Sequence, residues 1–139
     1  MTDLSLTVSR SIAAPAERVF NAWLDPKMLA RFMRPMPGME APVVSNDPTE
    51  GGRFEIIMKA PDGEIPHAGT YKEISPHSRL VFTWKSPFSV EGSTVTLDFV
   101  EANGATDVTL THVTFPSEES RDNHNKGWTQ ILETLAEVV

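Results

Sequence analysis

From Phe54 to Phe115 the hydrophobic pattern has a period of two and keeps it, segment after segment. Phe54, Ile56 and Met58 share one face of GGRFEIIMKA. Leu80, Phe82 and Trp84 do so in LVFTWKS, Val95, Leu97 and Phe99 in TVTLDFVE, and Val108 and Leu110 in TDVTLTHVTF. Successive side chains of a strand point to opposite faces, so each segment reads as a strand with one buried side. HAGTYKEI adds a further strand after the Asp62-Gly63 turn signal. SPHSR and VEGS read as turns, and Asn103-Gly104 is a strong hairpin dipeptide. The expectation is a run of about five or six antiparallel strands.

The flanks have a different period. In DNHNKGWTQILETLAEVV, His124, Gly127, Trp128, Ile131, Leu132 and Leu135 recur at helical spacing. Ser117 is the expected N-cap, with Glu118 and Glu119 in the favourable first turn. Such a helix of about 22 residues spans roughly 33 Å, enough to cross a curved sheet. At the other end, Leu4, Leu6, Val8 and Ile12 alternate as a first strand, with Arg10 in the same phase but better suited to the surface. Pro15 opens a short helix whose stripe is Val19, Phe20, Trp23 and Leu24. Asp25 caps a second one led by Pro26, with Met28, Leu29, Phe32 and Met33 as its apolar face. RPMPGMEAP, residues 34 to 42, reads as a loop. One long helix held by one antiparallel sheet is an α+β architecture, and residues 1–139 make a single domain.

Composition narrows the function. There is no cysteine, which removes disulfides, thiol catalysis and cysteine-bound zinc. A net charge of -7 works against binding a nucleic-acid backbone. No apolar run approaches the ~18 residues of a membrane span, and MTDLSLTVSR lacks the pattern of a signal peptide, so a cytoplasmic location is expected. The four histidines, His67, His77, His112 and His124, show no metal-ligand spacing. Gly51-Gly52 leads into a strand rather than a helix, unlike a nucleotide loop, and no motif calls for a cofactor.

The pieces IAAPAERVFNAWLDP, EGGRFEIIM, HAGTYKEISPHSRLVFTW, TVTLDF, TLTHVTFP and GWTQILETL carry a family resemblance. In order and spacing the chain resembles the small bacterial proteins called activator of Hsp90 ATPase homologue-like (AHSA1-like), of the START / Bet v 1-like superfamily. The likeness covers about residue 5 to residue 137. It implies the helix-grip fold: a curved antiparallel sheet around a long C-terminal helix, two short helices after the first strand, and a cavity between sheet and helix. Superfamily relatives bind lipids, sterols and hormones, or act as cyclases and dehydratases. Members often carry tryptophan near the end of the second helix, where this chain has Phe32 and Met33. That departure alters the cavity entrance.

Candidate cavity residues follow from the two periods and, for Tyr71, from the family resemblance: Met33, Phe54, Met58, Tyr71, Phe82, Trp84, His112, Trp128 and Leu132. Most must also be core, because cores and pockets use the same side chains. His112 is in phase with Val108 and Leu110, and the family pattern places Tyr71 inward. Either they bond to each other or to the backbone, or they orient a ligand. Met28, Met33, Met36, Met39 and Met58 are expected around the entrance, where soft side chains suit a promiscuous pocket.

The first functional expectation is a binder of a small apolar or amphipathic molecule, with a homodimer compatible. The second, resting on the family name, is a co-regulator of an Hsp90-type chaperone ATPase. The third is a cavity-based cyclase, dehydratase or hydrolase, with His112 as general acid or base. One histidine and one tyrosine are too few to name a reaction.

Overall fold

A computed structural model describes residues 4–36 and 38–139. Pro37, one of the prolines that mark the expected loop, lies outside them, as do residues 1–3. The chain runs β1 (Ser5–Ile12), α1 (Ala16–Ala22), α2 (Pro26–Phe32), β2 (Glu40–Asn46), β3 (Arg53–Ala60), β4 (Gly63–Ser75), β5 (Arg79–Thr83), β6 (Thr94–Ala102), β7 (Ala105–Val113) and α3 (Glu118–Val138). The strands form one sheet in the order β1-β7-β6-β5-β4-β3-β2. Every pairing is antiparallel. The sheet curls into a half-barrel around α3, as the helix-grip expectation requires.

Local chemistry accounts for most boundaries. Asp25 accepts a hydrogen bond from the Lys27 amide, with Pro26 inside the helix start. Ser117 accepts from the Ser120 amide at the start of α3. Asn103 and Gly104 both have positive φ, 55° and 78°, as a type I′ hairpin demands. Pro15 is the N-cap of α1 rather than its first residue, because its ψ of 153° is extended. The Ala16 amide beside it is taken by the Glu101 carboxylate from β6, at 2.6 Å.

Two features depart from the expectation. Residues 40–46 form a strand where a loop was expected to run to residue 42. Pro42 hid it, since proline removes a ladder donor. The proline is tolerated because β2 is an edge strand whose register shifts between Glu40 and Val43. The second is β4, which begins at Gly63, earlier than the expected His67. Its first part, Gly63–Thr70, pairs with β3, and Tyr71–Ser75 pairs with β5. The register shift between Tyr71 and Glu73 marks the bend where one ladder hands over to the other.

The inward faces meet as the period predicts. Leu80, Val95, Leu97, Val108, Leu110 and Leu135 are all fully buried, and Arg10 is exposed. The sheet-facing side of α3 buries Gly127, Trp128, Ile131, Leu132 and Leu135, while His124 is half-buried.

Gly127 lies against the segment that follows α2. A Cβ there would sit 3.1 Å from the Pro35 Cβ. Alanine needs only a few tenths of an ångström of give and gains about 1 kcal/mol of helix propensity. Leucine adds three further carbons beyond this contact and crowds the Pro35 segment. Gly127→Leu is therefore expected to lower stability by about 1–3 kcal/mol, and Gly127→Ala to stay within about 1 kcal/mol of the parent. Denaturant melts of the two variants check this; equal stability for leucine would mean the Pro35 segment simply moves aside.

Candidate functional site

The space between sheet and α3 is filled mainly by aromatic rings. Trp84, just past the end of β5, packs on Trp128 of α3 with ring centroids 5.0 Å apart. Trp23, at the end of α1, meets Phe32 of α2 at 5.0 Å and Trp128 at 6.5 Å. Phe54 stands edge-on to Phe82 at 5.3 Å and near Tyr71 at 5.4 Å. Two openings remain in this cluster.

The inner pocket has a volume of about 10 Å³, room for about one water. The helical side contributes Trp23, Leu29 and Met33, and the sheet contributes Phe54, Ile56, Tyr71, Phe82 and Trp84. The outer cleft, of about 150 Å³, opens beside α3. Met58, His67 and Trp84 form its sheet side, and His124, Gly127, Trp128 and Ile131 its helix side. Trp84 is a wall of both. Of the expected cavity residues, Met33, Phe54, Tyr71, Phe82 and Trp84 line the inner pocket, and Met58, Trp84 and Trp128 the outer cleft. His112 and Leu132 are buried but line neither. The methionines do not gather at one entrance. Met33 and Met58 face different openings, and Met36 and Met39 edge a separate surface groove with Lys59.

His112, fully buried on β7, is held at both ring nitrogens. The Trp128 indole donates to Nδ1 at 3.0 Å, and Nε2 lies 2.6 Å from the Ser93 hydroxyl. An indole N–H can only donate, so Nδ1 must hold a lone pair and the imidazole proton sits on Nε2. Nε2 therefore donates to Ser93. This tautomer cannot take a proton from Ser93, so the pair is not a nucleophile and its base. Tyr71 has a different partner: its hydroxyl accepts from Asn46 Nδ2 at 3.1 Å, and the same amide donates to the Leu24 carbonyl at 2.8 Å. His112 and Tyr71 thus belong to separate hydrogen-bond groups.

Burial sets the charge state of the site. It pushes the His112 imidazole down to about 3, with the nearby His124 adding to the effect. It pushes His67 down to about 4, against the raising effect of a hydrogen bond to the Ile65 carbonyl. Both are neutral at pH 7. The unfolded chain takes up these protons below about pH 6.5, whereas the folded chain refuses them until about 4 and about 3. The stability that neutral burial preserves is therefore complete above about pH 6.5 and falls as pH drops through that window. The loss is on the order of 2 kcal/mol per histidine by pH 5. Urea melts at pH 7 and pH 5 measure it; pH-independent stability across that interval would mean the two rings are solvated.

Not every polar group here has a partner. The Trp23 and Trp84 indole nitrogens are buried with no hydrogen bond among the described residues. Both side chains line the inner pocket. Asn46, Trp23, His67 and Ser93 were not among the expected site residues. Trp23 was visible as part of a helix stripe, whereas Ser93 read as a turn serine, and Asn46 lies on the strand that Pro42 concealed. His67, His112 and His124 come closer together than their spacing implies, with the His112 and His124 centroids 5.3 Å apart. Even so, among the described residues no three acidic or histidine side chains are arranged to hold a metal.

A curled antiparallel sheet closed on one long helix, with an aromatic-lined space between them, defines the helix-grip class. Within it, the chain belongs to the family of Activator of Hsp90 ATPase homolog 1-like proteins, whose sequence model matches residues 13–139. A Chromobacterium violaceum protein of known structure superposes with a TM-score of 0.84 at 25% identity, over 97% of this chain and 96% of that one. A Plasmodium falciparum Hsp90 activator superposes with a TM-score of 0.77 at 27% identity, over 97% of this chain and 95% of that one. The human activator of 90 kDa heat shock protein ATPase homolog 1 is 22% identical over 125 residues, 88% of this chain. The chain spans only 33% of that human protein. No described helix is long and apolar enough to cross a membrane.

Proposed function

We propose that this protein binds a small apolar or amphipathic molecule between the sheet and α3. The observation that carries the reading is the pair of unpartnered indole N–H groups on Trp23 and Trp84. Buried polar groups are nearly always hydrogen-bonded, and these two belong to side chains that line the inner pocket, so an acceptor on a ligand would relieve them. Affinity comes mainly from apolar burial, at about 25 cal/mol per Å² before ordering costs. The 150 Å³ of the outer cleft is small beside the ~300–1,000 Å³ of common ligand pockets, which favours a compact molecule. Met58, Trp84 and Trp128 contact it in the cleft, and His112 acts indirectly, by holding Trp128. The test is the melting temperature across a panel of lipids and aromatic metabolites. A ligand of the native state present at 100 times its Kd adds about 2.7 kcal/mol, and a panel that shifts nothing removes the reading.

A second reading is docking on an Hsp90-type chaperone to stimulate its ATPase. It is favoured by the 27% identity, over nearly the full length of both chains, to the Plasmodium protein described as an Hsp90 activator. The purified cognate chaperone, assayed with and without this protein, decides it: an unchanged ATPase rate discards the docking role.

A further inference from the structure

The loop between β5 and β6 presents an aromatic side chain to water. Ser86-Pro87-Phe88-Ser89 is a tight turn closed by the Ser89 amide on the Ser86 carbonyl, with Pro87 at the position that suits its fixed φ. Two serine hydroxyls lock it further. Ser89 Oγ accepts from the Ser86 amide at 2.8 Å, and Ser86 Oγ accepts from the Phe88 amide at 3.2 Å. The base of the loop is tied down as well, by the Trp84 amide on the Ser93 carbonyl and by His112 on the Ser93 hydroxyl. Phe88 therefore stands at the tip of a built turn, and it is 57% exposed. Val90, two residues on, is exposed too.

Beside this turn lies a surface cleft of about 640 Å³. Pro87, Phe88 and Val90 supply its loop side, and Pro116, Asn123 and His124 belong to the side around the start of α3. Asn123 and His124 also edge the outer cleft, whereas Trp84 and Trp128 line that cleft and not this one. The carboxylates here come from two elements. Glu119 lines the cleft, Glu118 precedes it in the helix, and Glu91 lines an adjoining groove along the same loop. No lysine or arginine lines the cleft, and none of the three carboxylates is in an ion pair among the described residues. The helix start by itself accounts for Glu118 and Glu119, but not for Glu91 in the loop.

The geometry points to a docking surface for a protein segment that is apolar at its centre and flanked by lysine or arginine. Phe88 is the anchor, the cleft takes the segment's apolar side chains, and Glu91, Glu118 and Glu119 meet its cations. An aromatic side chain already held in place loses little freedom on binding, which is how a few residues come to dominate an interface. A second copy of this chain fits poorly. A two-fold contact would set the same three carboxylates against each other, on chains that each carry a net charge of -7. Nucleic acid is disfavoured by the same charges. The footprint is small, which places the complex in the weak, transient class. This surface is independent of what occupies the outer cleft.

The test uses two fluorescein-labelled peptides titrated into the full-length protein by fluorescence anisotropy. One is Leu-Ala-Leu flanked by a pair of lysines on each side, and the other is the same core flanked by glutamates. The lysine probe is expected to bind at least about tenfold more tightly than the glutamate probe, and to weaken between about 50 and about 300 mM salt. Phe88→Ser should weaken the lysine probe about tenfold, as loss of an anchor does. Phe88 is exposed, so the variant is expected to fold, and an unchanged melting temperature checks this. Glu91→Gln combined with Glu119→Gln should cost about fivefold and flatten the salt dependence. Val100→Ser removes a similarly exposed apolar side chain from β6 and should change nothing. Equal affinity for the two probes overturns the proposal. So does lysine-probe binding that Phe88→Ser leaves unchanged, since that is charge attraction alone. A parent chain that dimerises while Phe88→Ser stays monomeric makes a second copy the occupant and overturns the assigned partner. Absence of lysine-probe binding overturns the proposal and leaves the reading of the outer cleft untouched.

Discussion

Trp128→Ala is expected to lower the unfolding free energy by about 3–5 kcal/mol, the largest effect of any single truncation in this chain. Its side chain is almost completely buried and touches Trp23, Trp84 and His112 together. Removing it opens a void between sheet and helix that the surrounding rings are too rigid to fill. It also strips the donor from His112 Nδ1, leaving a buried acceptor unpaired. Trp128→Phe separates the two costs. It keeps most of the packing and loses the hydrogen bond, so about 1–3 kcal/mol is expected from the orphaned nitrogen and the smaller ring. Denaturant melts with an unchanged m-value give both numbers. A phenylalanine variant as stable as the parent would show that the indole bond to His112 contributes nothing.

Gly69→Ala comes next, at about 3 kcal/mol or more. This substitution adds one carbon, yet here there is no space for it. A Cβ on Gly69 would overlap the Thr83 carbonyl oxygen of β5 and stand 2.6 Å from the Phe54 ring. The carbonyl is fixed by its backbone, and Phe54 is wedged between Tyr71 and Phe82. Ala68 on one side bonds Lys85 through both its amide and its carbonyl, and the Thr70 amide on the other bonds the Thr83 hydroxyl. The strand cannot shift without breaking these contacts, so the cost lies at or above the upper end of the overpacking range. Gly127→Ala is the internal contrast, since the same added carbon meets only the movable Pro35 ring edge. If Gly69→Ala melts like the parent, the two ladders of β4 are not tightly locked at this bend.

Most of the architecture was legible because it is written in short-range chemistry. The alternation between Phe54 and Leu110 named the inward faces of β3, β5, β6 and β7, and all those side chains are buried. The Asn103-Gly104 turn, the Asp25 and Ser117 caps and the stripe of α3 are each decided by residues within a turn or two. The strand β2 escaped because its signal is conditional. Pro42 argues against a strand everywhere except at an edge or a bulge, and whether a segment lies at an edge depends on the rest of the sheet.

The candidate site was less legible, for a related reason. Periodicity points Trp84, His112 and Trp128 inward, and the family resemblance adds Tyr71, but neither states which of them touch. Of the alternatives left open, a bond between His112 and Tyr71 is not formed: His112 pairs with Trp128 and Ser93, and Tyr71 with Asn46. Those partners sit 16, 19 and 25 residues apart, across strands whose relative position depends on the curl of the sheet.

By itself the sequence determined the order of elements, the face each one buries, the closing helix and the family likeness, because period, caps and turns act over a few residues. The tertiary structure alone decided where β4 bends, which glycine cannot bear a Cβ, which nitrogen of His112 holds the proton and which two indoles find no acceptor among the described residues. Each of these is a relation between backbones or side chains brought together only when the sheet curls around α3.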